Sequence, residues 1–201
     1  MRKSRPVLFL LVVISVILLS GVSAGADRSE GVRGIFGLKY GILGGGYIKV
    51  ENVSDKFEKE SGQSLGILLD YPIKKRLHFG IFADLHSIVV TYKPLHVNIK
   101  EDSETLLEVG AMLKYLIPTG QGKFSLRPGV GGGYGILKNM PYIGNSNYWT
   151  FRSTMEFIVK IGRTTDFAAE LGIWSAPSGG NDDIDVTSKA KLLLRFGLLF
   201  R

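Results

Sequence analysis

The chain has 201 residues, 45% of them hydrophobic, with 26 glycines and no cysteine. That length suffices for one domain with a core or one small barrel. The lack of cysteine excludes disulfides, thiol catalysis and Cys-ligated metals together. The formal charge is +7, but Arg2, Lys3 and Arg5 supply three of the cations, which leaves 7 − 3 = +4 for the rest, too little to argue for nucleic acid.

The first element is a leader. Arg2, Lys3 and Arg5 precede an apolar run from Val7 to Leu19 broken only by Ser15, and Val22-Ser23-Ala24 supplies small residues for cleavage. The run is shorter than the roughly 20 residues a spanning helix needs. Residues 1–24 therefore read as a cleaved secretory signal peptide, 25–33 as a short periplasmic segment and 34–201 as the folded domain. No later run is long and apolar enough for a transmembrane helix, and no cysteine follows to carry a lipid anchor.

The remaining elements are strands with charges on one parity and apolar side chains on the other, as alternation across a sheet requires. In the first, Phe36, Leu38, Tyr40 and Ile42 oppose Lys39. In the second, Leu65, Ile67, Leu69 and Tyr71 oppose Ser64, Gly66 and Asp70. The third sets Leu77, Phe79, Ile81 and Leu85 against His78, Asp84 and His86. The fourth sets Leu107, Val109, Leu113 and Tyr115 against Glu108 and Lys114. The fifth opposes Phe124, Leu126, Val130 and Tyr134 to Arg127 and four glycines. The sixth opposes Trp149, Phe151, Phe157 and Val159 to Arg152, Glu156 and Lys160. In the seventh, Phe167, Leu171 and Ile173 oppose Glu170 and Trp174. In the last, Val186, Ser188, Ala190, Leu192, Leu194, Phe196, Leu198 and Phe200 oppose Lys189, Lys191 and Arg195.

A soluble barrel places its charges outside, whereas a barrel solvated by lipid places them in its lumen. The fold class expected is thus an all-β, eight-stranded antiparallel up-and-down transmembrane barrel, eight being an even number as antiparallel closure requires. The connections alternate between tight turns (Lys74-Lys75-Arg76, Pro118 to Lys123, Gly162 to Thr165) and long polar segments (Asn52 to Gln63, Lys93 to Asp102, Lys138 to Asn147, Pro177 to Asp185). Short turns on the periplasmic side and long loops outside match barrels of the bacterial outer membrane, with both termini in the periplasm. Phe36, Tyr71, Phe79, Tyr115, Phe124, Phe167 and Phe200 fall near the inner strand ends, and Trp149, Phe151 and Tyr134 near the outer ends. Together they read as an aromatic girdle at the two headgroup levels.

These features, with Gly44-Gly45-Gly46-Tyr47, the segment Arg127-Pro128-Gly129-Val130-Gly131-Gly132-Gly133-Tyr134-Gly135 and the closing Lys191 to Phe200, resemble the bacterial outer-membrane β-barrel superfamily of small OmpX-like, OmpA-like and opacity-type surface proteins. The resemblance covers the whole mature chain. It implies insertion by the barrel-assembly machinery, which reads a terminal aromatic residue; here Arg201 follows Phe200, off that pattern. No peptidoglycan-binding domain is visible, so OmpA-like tethering is not implied.

The lumen is expected to hold Lys39, Asp70, Asp84, Glu108, Lys114, Arg127, Arg152, Glu156, Lys160, Glu170, Lys189, Lys191 and Arg195. Eight strands enclose room for side chains only, so these charges must pair. The alternative is a narrow pore or hydrophobic-solute conduit. His78 and His86 lie about 26 Å apart along one strand and cannot share a metal. A lipid-modifying enzyme would need Ser153 or Ser175 with His96 as the base, a pair lacking an orienting carboxylate. Asn181-Asp182-Asp183 with Asp185 reads as a solvated loop, and the glycine runs lack the helix and Gly-Lys-Ser/Thr of a phosphate loop. The expectation is a monomeric, non-enzymatic surface protein of the bacterial outer membrane with no cofactor. Its barrel would mount four external loops, Lys56 to Gly62, Val97 to Ser103, Asn139 to Tyr148 and Ser178 to Ile184. Its partners would be membrane lipid and lipopolysaccharide, with an extracellular ligand at the loops and no nucleic acid.

Overall fold

The computed structural model describes residues 34–50, 56–59, 61–88, 90–92, 99–100, 104–119, 122–140, 144–180 and 186–201. The leader at 1–24, the segment 25–33, His96 and the acidic cluster at 181–185 lie outside the described residues. The unit from Ile35 to Arg201 contains thirteen strands among the described residues: β1 (Ile35–Leu43), β2 (Gly46–Val50), β3 (Lys56–Lys59), β4 (Gly62–Pro72), β5 (Leu77–Ile88), β6 (Val90–Tyr92), β7 (Ile99–Lys100), β8 (Glu104–Tyr115), β9 (Ile117–Thr119), β10 (Phe124–Met140), β11 (Gly144–Lys160), β12 (Thr165–Gly180) and β13 (Val186–Phe200).

Alternation is what the strands share. Along β1 every second side chain from Gly37 to Leu43 is buried and those between are exposed. Eight strands, β1, β4, β5, β8, β10, β11, β12 and β13, pair each with the next, and β13 returns antiparallel to β1 from Phe36↔Phe200 to Leu43↔Leu193, closing the barrel. Closure leaves no unpaired edge, the condition for backbone to sit in hydrocarbon. The short strands prolong these eight. One register runs from Ile35↔Asp70 through Leu43↔Gly62 to Lys49↔Lys56, so β1–β2 and β3–β4 form a single long hairpin. At the end near the C-terminus, β9 continues the β8 register against β10.

Parts of the segments expected as external loops are strand. Lys56–Lys59, Ile99–Lys100, Lys138–Met140, Gly144–Asn147 and Pro177–Gly180 are all strand. The segments read as loops because they are polar, yet a strand that leaves the membrane has water on its outer face and needs no apolar parity there. The 17 residues of β11 span about 56 Å at about 3.3 Å each, or about 40 Å along an axis tilted about 45°, against an apolar band about 25 Å tall. The barrel overshoots that band on the side away from the C-terminus.

Three β-bulges break the alternation at that end, the first an extra residue in β10 between Leu137↔Ser146 and Met140↔Gly144. Between Trp149↔Ser178 and Phe151↔Ser175, β12 carries an extra residue, and between Trp174↔Lys191 and Ala176↔Ser188, β13 does. A bulge inverts every side chain beyond it. Ser188 is accordingly buried and Lys189 exposed, the reverse of the expected faces.

The turns nearest the C-terminus are tight. Ile73 N–H donates to Leu77 O at 2.8 Å, Gly162 N–H to Thr165 O at 2.9 Å, and Arg201 N–H to Thr164 O at 2.9 Å. Gly122 adopts φ +75° in the turn between β9 and β10, a left-handed conformation that favours glycine.

Candidate functional site: a filled lumen and an apolar wall

The inside of the barrel is built in layers. Nearest the C-terminal end, Leu68, Phe82, Met112, Ile158, Ala168 and Leu199 form an apolar cluster with Ile35 and Leu116 packed against it. Toward the other end, Leu43, Leu106, Leu137, Tyr148, Trp174 and Leu193 are all buried.

A continuous ionic chain joins the strands within. Glu156 on β11 accepts from Lys39 on β1, from Lys114 Nζ on β8 at 3.0 Å and from Arg127 on β10 at 2.5 Å. Asp70 on β4 takes Arg127 Nη1 at 2.9 Å and Lys114 Nζ at 3.3 Å. Lys39 also pairs with Glu170 on β12. Glu170 accepts from Arg195 Nη2 on β13 at 2.6 Å, and Arg195 Nη1 reaches Asp84 on β5 at 2.7 Å. Arg152 on β11 bridges Asp84 and Glu108, the latter at 2.6 Å, with its guanidinium 3.7 Å from the centre of the Phe82 ring. Glu108 further accepts from Trp174 Nε1 at 2.8 Å and Thr150 Oγ1 at 2.5 Å, and stands 3.3 Å from His86 Nε2.

The chain thus links five cations (Lys39, Lys114, Arg127, Arg152, Arg195) to five carboxylates (Asp70, Asp84, Glu108, Glu156, Glu170), all essentially inaccessible to solvent. Equal numbers matter, because an uncompensated charge in this environment is strongly destabilising. Glycines make the room. A Cβ on Gly66 would lie 1.9 Å from Asp84 Oδ1 and 2.8 Å from Arg195 Nη1, and one on Gly110 2.4 Å from Phe82 Cζ. Among the layers the space found between Lys39, Asp84, Lys114, Glu170 and Arg195 is a void of about 10 Å³, no larger than a single water requires.

Of the thirteen charges expected inside, eleven are buried, Lys191 among them. The two exceptions have separate causes. Lys160 has the inward parity but ends β11, past the packed layers, and is exposed. Lys189 is turned outward by the β13 bulge. Thr150 and Trp174 were not singled out as partners of Glu108; their shared inward parity with Arg152 and Glu170 was the available signal. Asp84, His86 and Glu108 bring one ligand atom each within 4.8 Å of one another. Both carboxylates are already held by guanidinium groups, Glu108 by Arg152 and Asp84 by Arg152 and Arg195, so a dication there would meet two fixed cations.

The outer wall is the inverse of the lumen. Phe36, Phe79, Tyr115, Phe124, Trp149, Phe151, Phe167 and Phe200 are exposed, with Leu38, Val130, Leu171, Ile173, Leu192 and Phe196 between them; Tyr71 is half-buried. Phe36 stacks on Phe200 at 6.2 Å and Phe167 on Phe196 at 6.3 Å, while Tyr134 meets Trp149 edge-on at 5.4 Å. An apolar exterior around a charged interior is stable in lipid and not in water. The serines considered for catalysis lie on this wall, Ser153 exposed and Ser175 half-buried, whereas His78 and His86 are buried on the lumen side of the sheet.

No protein-family model matches the sequence, and no curated protein matches it. Solved structures do. The outer membrane protein OprG from Pseudomonas aeruginosa superposes with a TM-score of 0.60 at 16% identity, over 85% of this chain and 97% of that one. Neisserial surface protein A gives 0.57 at 13% identity, over 83% and 96%. At such identity the likeness establishes architecture: the chain has the closed, eight-stranded antiparallel fold of the small bacterial outer-membrane β-barrels.

Proposed function

We propose that the protein is a monomeric integral β-barrel of the bacterial outer membrane, inserted by the barrel-assembly machinery, with a structural or surface-binding role and no catalytic one. The observation that carries this reading is the inversion of polarity, a ten-member ion network inside an apolar, aromatic-belted wall. The packed layers and the 10 Å³ void argue against the conduit alternative, because conduction needs a continuous wetted path. The lipid-modifying alternative rests on Ser153 or Ser175 with His96, a pair without an orienting carboxylate, and His96 lies outside the described residues. Binding then falls to the rim where the strands overshoot the apolar band, at Lys138, Asn145, Asn147 and Ser178. Side chains carried on strands at the rim are held on a rigid scaffold.

The test is fractionation followed by gel mobility with and without boiling. The reading requires the protein in outer membranes, migrating differently before and after boiling. Recovery as a soluble periplasmic protein with no shift would overturn it.

A further inference from the structure

Among the described residues the outer wall carries a hollow around Ser153. Register aligns Leu113, Val130, Ser153, Ile173 and Leu192 in a single outward row across β8, β10, β11, β12 and β13. Ser153 is the short member of that row. Together with Pro128 in the row nearer the C-terminal end, it leaves a mainly apolar groove of about 680 Å³ between the bulkier side chains.

The bulges of β12 and β13 lie immediately beyond this groove. Ser175, paired with Phe151, faces the extra residue of β13 at Lys189-Ala190. With Ser188 and Lys191 both buried, Lys189 is left on the outer surface, one step above Leu192 of the groove. Re-aiming a side chain is a common consequence of a bulge, and here it moves a cation from the lumen to the wall. A lysine facing lipid is tolerated only near the headgroups, where its stem covers apolar surface and its ammonium reaches water. One row further lie Trp149, 64% exposed, and Tyr134 in edge contact with it. Every carboxylate whose side chain is described (Asp70, Asp84, Glu108, Glu156, Asp166 and Glu170) is buried, so among the described residues no acid on the wall competes for Lys189.

We propose that this groove binds a phosphorylated, acylated glycolipid of the outer leaflet, with an acyl chain along Val130, Ser153 and Ile173, a phosphate on Lys189 and a sugar ring against Trp149 and Tyr134. The proposal rests on the outer-membrane reading above. An acyl chain matches the apolar hollow, a phosphate matches the single re-aimed cation, and exposed aromatic rings at headgroup depth match a sugar face.

The experiment is native mass spectrometry of the full barrel in detergent, titrated with lipid A, with dephosphorylated lipid A and with phosphatidylglycerol. Lipid A is expected to be retained at least fivefold more tightly than the other two. Lys189→Glu should lower lipid A retention about fivefold or more and leave dephosphorylated lipid A unchanged, the effect of one cation at an anionic headgroup. Ser153→Phe, which fills the hollow, should weaken both lipids; Lys189→Ala gives a second reading of the charge. Equal retention of all three lipids by the wild type, or unchanged lipid A retention in both Lys189 variants, would overturn the proposal. Gel mobility of the same samples separates the two levels: loss of lipid discrimination in a heat-modifiable barrel defeats only this inference, while absence of the boiling shift in the wild type defeats the membrane reading beneath it.

Discussion

Replacing Glu156 by glutamine is the most informative single change in the lumen. Its carboxylate receives Lys39, Lys114 at 3.0 Å and Arg127 at 2.5 Å, so Glu156→Gln leaves five cations facing four carboxylates. Breaking a buried ionic network by removing one partner costs about 3–5 kcal/mol. The lower end applies here, about 3 kcal/mol, because Asp70 still holds Arg127 and Lys114, and Glu170 still holds Lys39. Adding Lys114→Met restores a balance of four against four and should recover at least half of that loss, about 1.5 kcal/mol, since it removes the surplus charge and not merely a contact. Denaturant unfolding in lipid vesicles, followed by tryptophan emission, gives both values from the shift in midpoint at constant m. The reasoning fails if Glu156→Gln lies within about 0.5 kcal/mol of wild type, the range of an ordinary surface change. It fails equally if the double variant is less stable than the single one.

Further outcomes follow from the same geometry. Gly66→Val drives a side chain into Asp84 and Arg195 and should destabilise by about 2–3 kcal/mol. Gly162→Ala, whose nearest neighbour would stand 3.7 Å away in a turn, should stay within about 0.5 kcal/mol in the same unfolding assay. Phe196→Lys places a charge on the exposed apolar wall and should cost about 2–4 kcal/mol in lipid, whereas Lys138→Leu near the rim should change stability by less than about 1 kcal/mol; vesicle refolding yields tell these apart. In planar bilayers the wild-type protein should add no stepwise conductance, and steps reproducible at nanomolar protein would contradict the packed lumen.

Much of this architecture was readable from the chain because alternation is local. Phe36-Leu38-Tyr40 against Lys39, or Phe157 against Glu156, needs only a period of two, and the reversed polarity of the two faces follows from the solvent being lipid. What alternation cannot reveal is a change of phase. Ser188-Lys189-Ala190-Lys191 reads as unbroken alternation, yet the bulge is a property of the pairing with β12, which one strand's sequence does not contain. Lys160 illustrates a second limit: parity gives the direction of a side chain but not whether packed layers extend that far along the axis. The strands at Lys56–Lys59 and Pro177–Gly180 were hidden because polar composition signals both a loop and a strand standing in water. The partners of Glu108 depend on cross-strand register, which joins Thr150 and Trp174 to β8 through chain separations of 42 and 66 residues.

The central claim is that one parity faces lipid and the other a sealed interior, and the chain's two tryptophans report on opposite faces. Trp149 is 64% exposed on the wall and Trp174 3% exposed beside Glu108. The decisive measurement is fluorescence quenching of Trp149→Phe and Trp174→Phe barrels reconstituted in vesicles of acyl-brominated lipid. Trp149, left alone in the Trp174→Phe protein, should be quenched by the bromolipid, and Trp174, left alone in Trp149→Phe, should be shielded from it and from aqueous iodide. Quenching of Trp174 by bromolipid with Trp149 accessible only to iodide would mean the faces are reversed and the account is wrong.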